Sequence, residues 1–166
     1  MELKNLYRGR MWEYAEKYGV KYVAGARPWS EKCDIAMPSA TQNEITAEDA
    51  QTLVSNGCIA VSEGANMPST PDAIKIFQTA GLLYAPGKAS NAGGVSVSGL
   101  EMSQNAMKRA WSAEEVDQQL QRIMADIHAQ CQKYGTRPDG TTDYVAGANI
   151  SAFMKVARAM MAQGIL

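Results

Sequence analysis

Cys58-Ile-Ala-Val-Ser-Glu-Gly-Ala-Asn-Met-Pro-Ser-Thr-Pro-Asp-Ala-Ile-Lys-Ile-Phe-Gln-Thr-Ala-Gly-Leu-Leu-Tyr-Ala85 holds one full unit of the fold. The apolar run Cys58 to Val61 stops at a loop of small residues, Glu63-Gly-Ala-Asn-Met-Pro68. Thr70-Pro71 then offers a cap and a first-turn proline to a helix over Asp72 to Ala80. A second apolar run, Leu82 to Ala85, ends at Pro86. Short apolar runs closed by Gly or Pro suit the buried strands of a parallel sheet. Strand, helix and strand in that order predict a crossover with ligands bound outside the carboxyl ends of the strands.

The pattern extends toward the N-terminus. Val20 to Ala24 and Cys33 to Met37 read as further strands, and Thr46-Ala-Glu-Asp49 forms a capping box ahead of a helix over Ala50 to Asn56. Leu3, Leu6, Tyr7, Met11, Tyr14 and Tyr18 recur at helical spacing, so a helix is expected over residues 3–18, closed by Gly19. Toward the C-terminus the chain turns helical. A helix is expected from Gly99 to Trp111, followed by the capping box Ser112-Ala-Glu-Glu115 and a long helix to Tyr134, closed by Gly135. Val116, Leu120, Ile123, Ile127, Cys131 and Tyr134 make its apolar stripe. After the turn Arg137-Pro-Asp-Gly140, a last helix is expected over Ile150 to Gln163 with a Met-rich apolar face.

Composition narrows the class of protein. The 166 residues are 46% apolar, and 16 Lys and Arg balance 17 Asp and Glu, so no field favours nucleic acid or an anionic membrane. Cys33, Cys58 and Cys131 are odd in number and widely spaced, which fits neither a disulfide framework nor a zinc site and suits a reducing cytoplasm. No metal is expected. The absence of an apolar leader and of a long uncharged apolar run predicts a cytoplasmic protein without a membrane span. Gly81 to Lys88 superficially matches a phosphate-binding loop, but five residues separate its glycines and Ala89 stands where Ser or Thr should hold magnesium. His128 flanks the stripe of the long helix and is expected to pack at the core edge.

Chemistry is concentrated where the strands end. Pro38 to Asn43, Glu63 to Pro68 and Pro86 to Val95 combine small residues with amides that both donate and accept hydrogen bonds. Asn43, Asn66 and Asn91 therefore suit an uncharged polar ligand such as a carboxamide or a ribose, although asparagines also cap turns. Ser96 and Ser98, read as lying at a helix N-terminus, suit a carboxylate. No G-x-G-x-x-G fingerprint occurs, so half a dinucleotide site is present, and no catalytic residue is assigned.

Five ordered segments carry a resemblance: Cys33 to Glu44, Glu63 to Pro68, Ala85 to Val95, Ser98 to Asn105 and Gly147-Ala-Asn149. Through them the sequence resembles the hexameric bacterial glutamate dehydrogenases over essentially its whole length. The resemblance implies interconversion of L-glutamate with 2-oxoglutarate and ammonia by hydride transfer with NADP or NAD. It implies that Thr41, Gln42 and Asn43 lie along the cofactor's ribose and phosphates, that Asn66 and Asn91 hold the nicotinamide and its ribose, and that Val95 and Ser98 line the glutamate pocket. The implied fold is α/β: the C-terminal half of a doubly wound Rossmann-like parallel sheet followed by C-terminal helices. Residues 1–97 would be the remaining α/β units and 98–166 the helical part of an NAD(P)-binding domain. The substrate domain and the glycine-fingerprint unit would be absent, leaving an inactive piece of a homohexamer. A freestanding nucleotide-binding or regulatory module without catalysis, and a dehydrogenase of another amino acid, stay open.

Overall fold

Thr70 accepts the Ala73 N–H at 3.3 Å and starts a helix at Pro71, while β-strands flank that helix on both sides. A computed structural model describes residues 4–5 and 8–164. Among the described residues three strands, β1 (Ile35–Ala36), β2 (Ala60–Ser62) and β3 (Leu83–Ala85), lie side by side in chain order and all parallel. Ile35 pairs with Ala60 and Ala60 with Leu83, one residue step from Ala36, Val61 and Tyr84. The connections are α2 (Ala47–Ser55) and α3 (Pro71–Thr79), which pack on each other. The fold is thus α/β with a small parallel sheet.

Alternation along the strands decides which side chains are buried. Ala36, Val61 and Tyr84 face a core of Ile45, Leu53 and Phe77, with the Phe77 and Tyr84 rings stacked at 5.8 Å. Full burial of each such large side chain stabilises by about 1.5–3 kcal/mol. The capping boxes form as read. Thr46 accepts from Asp49 N and Asp49 accepts from Thr46 N at 2.9 Å, and Ser112 and Glu115 repeat the exchange.

Four expectations change. The segment Val20 to Ala24 is not a strand: it pairs with nothing in the described sheet, and its valines are exposed. The N-terminal helix is not continuous over residues 3–18. Arg8 has φ 49°, Arg10 is extended, and α1 (Met11–Tyr18) starts there with Glu13 accepting the Arg10 N–H at 3.1 Å. Leu3, Leu6 and Tyr7 lie outside the described residues. Gly19 closes α1 at φ 65°, as expected.

After the four-residue α4 (Gly87–Ser90), α5 covers Ala92–Met107 and starts seven residues earlier than expected, because Gly93 and Gly94 are helical rather than breakers. The last helix, α7 (Tyr144–Gln163), starts six residues early because Asp143 accepts the Ala146 N–H at 3.0 Å and caps it. The long helix α6 spans Ala113–Gly135. Gly135 is its last helical residue, and its role is close packing: a Cβ there would overlap the Asp143 backbone. The α6 side chains Met124, Ile127 and His128 roof a 370 Å³ hollow beside β2 and β3, with His128 stacked on Tyr144 at 5.6 Å. Among the described residues no helix is long and apolar enough to cross a membrane.

Candidate functional site

Three loops leave the carboxyl ends of β1, β2 and β3, and their tips enclose a 630 Å³ cleft. Its lining includes Gln42, Asn66, Asn91 and Val95. Ser39 and Gly64 bring the first two loops together: a Cβ on Gly64 would overlap the Ser39 hydroxyl, so a larger residue there would have to turn that hydroxyl away. The Gly64 and Ala65 N–H groups both donate to Pro38 O, at 2.9 and 3.1 Å.

The second and third loops meet through their asparagines. Asn91 Nδ2 donates to Asn66 Oδ1 at 2.6 Å and to Ala65 O at 3.1 Å. Those bonds use the donors of Asn91 and the acceptor of Asn66. What the pair leaves over is the Asn91 Oδ1 acceptor and the Asn66 Nδ2 donor. An acceptor and N–H donors left over on one pair of side chains complement a primary carboxamide, which carries both kinds of group.

Glu63 lies beneath this pair and is 3% exposed. Its Oε2 accepts the Gly87 N–H at 2.7 Å and its Oε1 accepts the Ser69 N–H at 3.2 Å. Burial, and after it the neighbouring carboxylate, push the Tyr84 phenol far above its usual range. The Ser90 hydroxyl donates to Glu63 O at 2.6 Å. Glu63, like Lys88, was given no role from the sequence, and Ser90 and Gly87 were not picked out. The usable signal was an acidic residue two positions after a buried strand residue, which shares its inward direction.

The other expected site residues sit around the rim. Thr41 N and Ala40 N donate to the Glu44 carboxylate, at 3.3 and 3.4 Å, folding that side chain back on its own loop. Asn43 has φ 56° and its N–H donates to Met67 O at 2.9 Å, so it performs a turn role. Thr41 and Asn43 do not line the cleft. Ser98 is not at a helix N-terminus: it lies inside α5, with its hydroxyl donating to Gly94 O at 3.2 Å, and Ser96 donates likewise to Ala92 O at 2.7 Å. Ser98 sits one turn beyond Val95, and both are exposed on the same stretch of α5.

Lys88, to which no role was given, donates to Asn149 Oδ1 at 2.7 Å and ties α4 to α7. Among the described residues no group of three or more His, Cys, Asp or Glu side chains could hold a metal ion. The three cysteines are free thiols.

A parallel α/β unit whose loops converge on an amide-lined cleft at the strand ends has the layout of nucleotide-binding α/β proteins. Residues 1–164 match the model of the Glutamate/Leucine/Phenylalanine/Valine dehydrogenase family, and the chain belongs to that family. It is 70% identical over 166 residues to a glutamate dehydrogenase of Bacteroides thetaiotaomicron. It is 67% identical over 165 residues to an NAD(P)-specific glutamate dehydrogenase of Xylanibacter ruminicola. These alignments take in 100% and 99% of this chain but 37% of each relative's length. The crystal structure of Plasmodium falciparum glutamate dehydrogenase superimposes with a TM-score of 0.92 at 44% identity, covering 100% of this chain and 36% of that one.

Proposed function

We propose that this chain is the nicotinamide-side portion of an NAD(P)-dependent glutamate dehydrogenase, an oxidoreductase that interconverts L-glutamate with 2-oxoglutarate and ammonia. The observation that carries the reading is the Asn66–Asn91 pair, whose remaining donor and acceptor match a nicotinamide carboxamide. The cofactor supplies the hydride chemistry; the chain's residues hold and orient it. Asn66 and Asn91 bind the carboxamide side, and Thr41, Gln42 and Asn43 lie toward the ribose and phosphates. Val95, 72% exposed, and Ser98 present a methyl face and a hydroxyl to the glutamate side chain from α5.

In this reading the three strands are the C-terminal half of a doubly wound sheet. Residues 1–97 complete its α/β units and 98–166 add the helices that pack beside them. The cofactor is NADP or NAD, and the working assembly is a homohexamer. The 166-residue chain by itself lacks the glycine fingerprint that cradles the pyrophosphate and is inactive. The identity to the two named dehydrogenases and the superposition on the Plasmodium enzyme support it.

The test uses a polypeptide of family length that carries this chain. Asn91→Ala is expected to weaken binding of the reduced dinucleotide by about tenfold or more, the value of a lost hydrogen-bonded amide. ADP-ribose, which lacks the nicotinamide, should bind unchanged. Equal weakening of both ligands would defeat the carboxamide assignment. Ser98→Ala should raise KM for glutamate, and unaltered kinetics would remove Ser98 from the substrate pocket. Micromolar binding of dinucleotide by the 166-residue chain alone would favour a freestanding binding module instead.

A further inference from the structure

We propose that Glu63 is a positioning residue for the nicotinamide: its buried carboxylate fixes the spacing and orientation of the Asn66 and Asn91 amides. The inference rests on the reading of those two asparagines given above, and it assigns a role to a residue that need not touch cofactor or substrate.

Asn66 sits in the loop between β2 and α3, and Asn91 at the junction of α4 and α5. Each loop has one backbone N–H pinned by the same carboxylate, Ser69 N by Oε1 at 3.2 Å and Gly87 N by Oε2 at 2.7 Å. Glu63 N donates to Ala85 O at 3.1 Å, so the residue is itself held to the end of β3. On its main-chain side, Glu63 O accepts from Ser90, the residue before Asn91. The ring closes where Asn91 reaches back to Ala65 O and Asn66 Oδ1.

Little slack exists in this ring. A Cβ on Gly87 would lie 2.8 Å from Ala65 O, 3.2 Å from Glu63 Oε2 and 3.4 Å from Asn91 Nδ2, so the two loops are already in contact at the glycine. Nor can a neutral isostere replace the carboxylate. One N–H group reaches each of its oxygens, and only an acceptor at both oxygens satisfies them. Gln presents an NH2 to at least one of these donors, leaving a buried donor unpaired and pushing one loop off its anchor. The displacement falls on the Asn66–Asn91 pair, so the loss should appear in recognition of the carboxamide and not of the rest of the dinucleotide.

The experiment compares dissociation constants for the reduced dinucleotide and for ADP-ribose in the family-length polypeptide, with the rest of the binding site in place. The variants are Asn91→Ala, Glu63→Gln, their double, and Glu63→Asp. Glu63→Gln is expected to weaken dinucleotide binding by about tenfold or more while ADP-ribose changes by less than about twofold. Because both substitutions break one ring, the double variant should bind no more than about twofold worse than Asn91→Ala alone.

Equal loss for both ligands in Glu63→Gln, or losses that multiply in the double variant, would overturn the proposal and leave Glu63 a general structural anchor. If Glu63→Gln does not fold, Glu63→Asp decides. It keeps the charge but shortens the reach to the Ser69 and Gly87 N–H groups, and a selective loss of about two- to fivefold is expected; an unchanged ratio of the two constants overturns the proposal. If Asn91→Ala is itself unselective, the asparagine assignment falls and the role of Glu63 falls with it. Selectivity in Asn91→Ala without selectivity in Glu63→Gln removes Glu63 alone.

Discussion

Gly147 in α7 rests on the backbone of Cys131 in α6, so closely that a Cβ at Gly147 would overlap the Cys131 carbonyl. The two longest helices therefore meet backbone to backbone. Gly147→Ala should force them apart and lower the unfolding free energy by about 1–3 kcal/mol, the cost of overpacking a tight contact. Gly99→Ala is the matched control, since nothing lies within 4 Å of its Cβ position and it stands inside α5. It should stabilise by about 0.5–1 kcal/mol through helix propensity. Urea denaturation of both variants reads the difference, and equal effects would remove the packing argument.

Tyr84 gives the molecule an alkaline signature. Its folded-state pKa is raised by burial and then by Glu63, whereas the unfolded chain ionises near the ordinary phenol value of about 10. Stability held by the neutral phenol is fully present below that value and is lost as pH rises through it, because only the unfolded state gives up the proton. The stability gap between the parent chain and Tyr84→Phe should accordingly shrink above pH of about 10. A gap that stays constant from neutral to strongly alkaline pH contradicts the assignment.

Burial raises the pKa of the Cys33 and Cys131 thiols, and the neighbouring Cys58 adds to the effect at Cys33. At neutral pH the thiolate fraction of both is below that of free cysteine. Alkylation by iodoacetamide, followed by peptide mass spectrometry, should be slower than for glutathione and should accelerate as pH passes the ordinary thiol range of about 8.5. Rates matching glutathione at either residue would show that it is not shielded as the structure has it.

Asp139 sits in the exposed turn before α7, and its carboxylate accepts from Thr141 Oγ1 at 2.7 Å and Thr141 N at 2.9 Å. These bonds hold its pKa below the usual aspartate range. Carbon NMR titration should place its midpoint below that of a free aspartate. Thr141→Ala, which removes only the hydroxyl, should move the midpoint up, and an unmoved midpoint would assign the shift elsewhere.

Much of this was readable before any coordinates. The caps Thr46, Thr70 and Ser112 state their structure locally, because a side-chain oxygen and a backbone N–H two or three residues on are enough to form them. Asn66 and Asn91 could be grouped because parallel strands deliver their following loops to one end; Asn43, grouped with them, serves a turn off the cleft, and Gln42 and Val95 came from the family resemblance. What escaped depended on contacts across the fold. Gly93, Gly94 and Gly147 look like breaks in a helix when read along the chain, yet two of them face other helices: a Cβ on Gly93 would lie 3.4 Å from Leu120, and Gly147 meets Cys131. Val20 to Ala24 has the composition of a strand but no partner among the described strands, and pairing is not a property of one segment. The role of Glu63 escaped because a buried acid is recognised by the donors around it, which come from residues 69 and 87.

The residue-for-residue alignment of Ile35, Ala60 and Leu83 also sets where the gene can tolerate a change of length. Side chains along a strand alternate, so Val61 in the core and Glu63 beneath the cleft share parity. Adding or deleting one codon between them would swing the carboxylate to the other side of the sheet, out of reach of both N–H groups it serves, while leaving composition almost untouched. The exposed turn at residues 137–140 carries no such parity constraint. In natural or engineered variants, length polymorphism should accumulate in that turn and be purged from the strand-to-loop junctions.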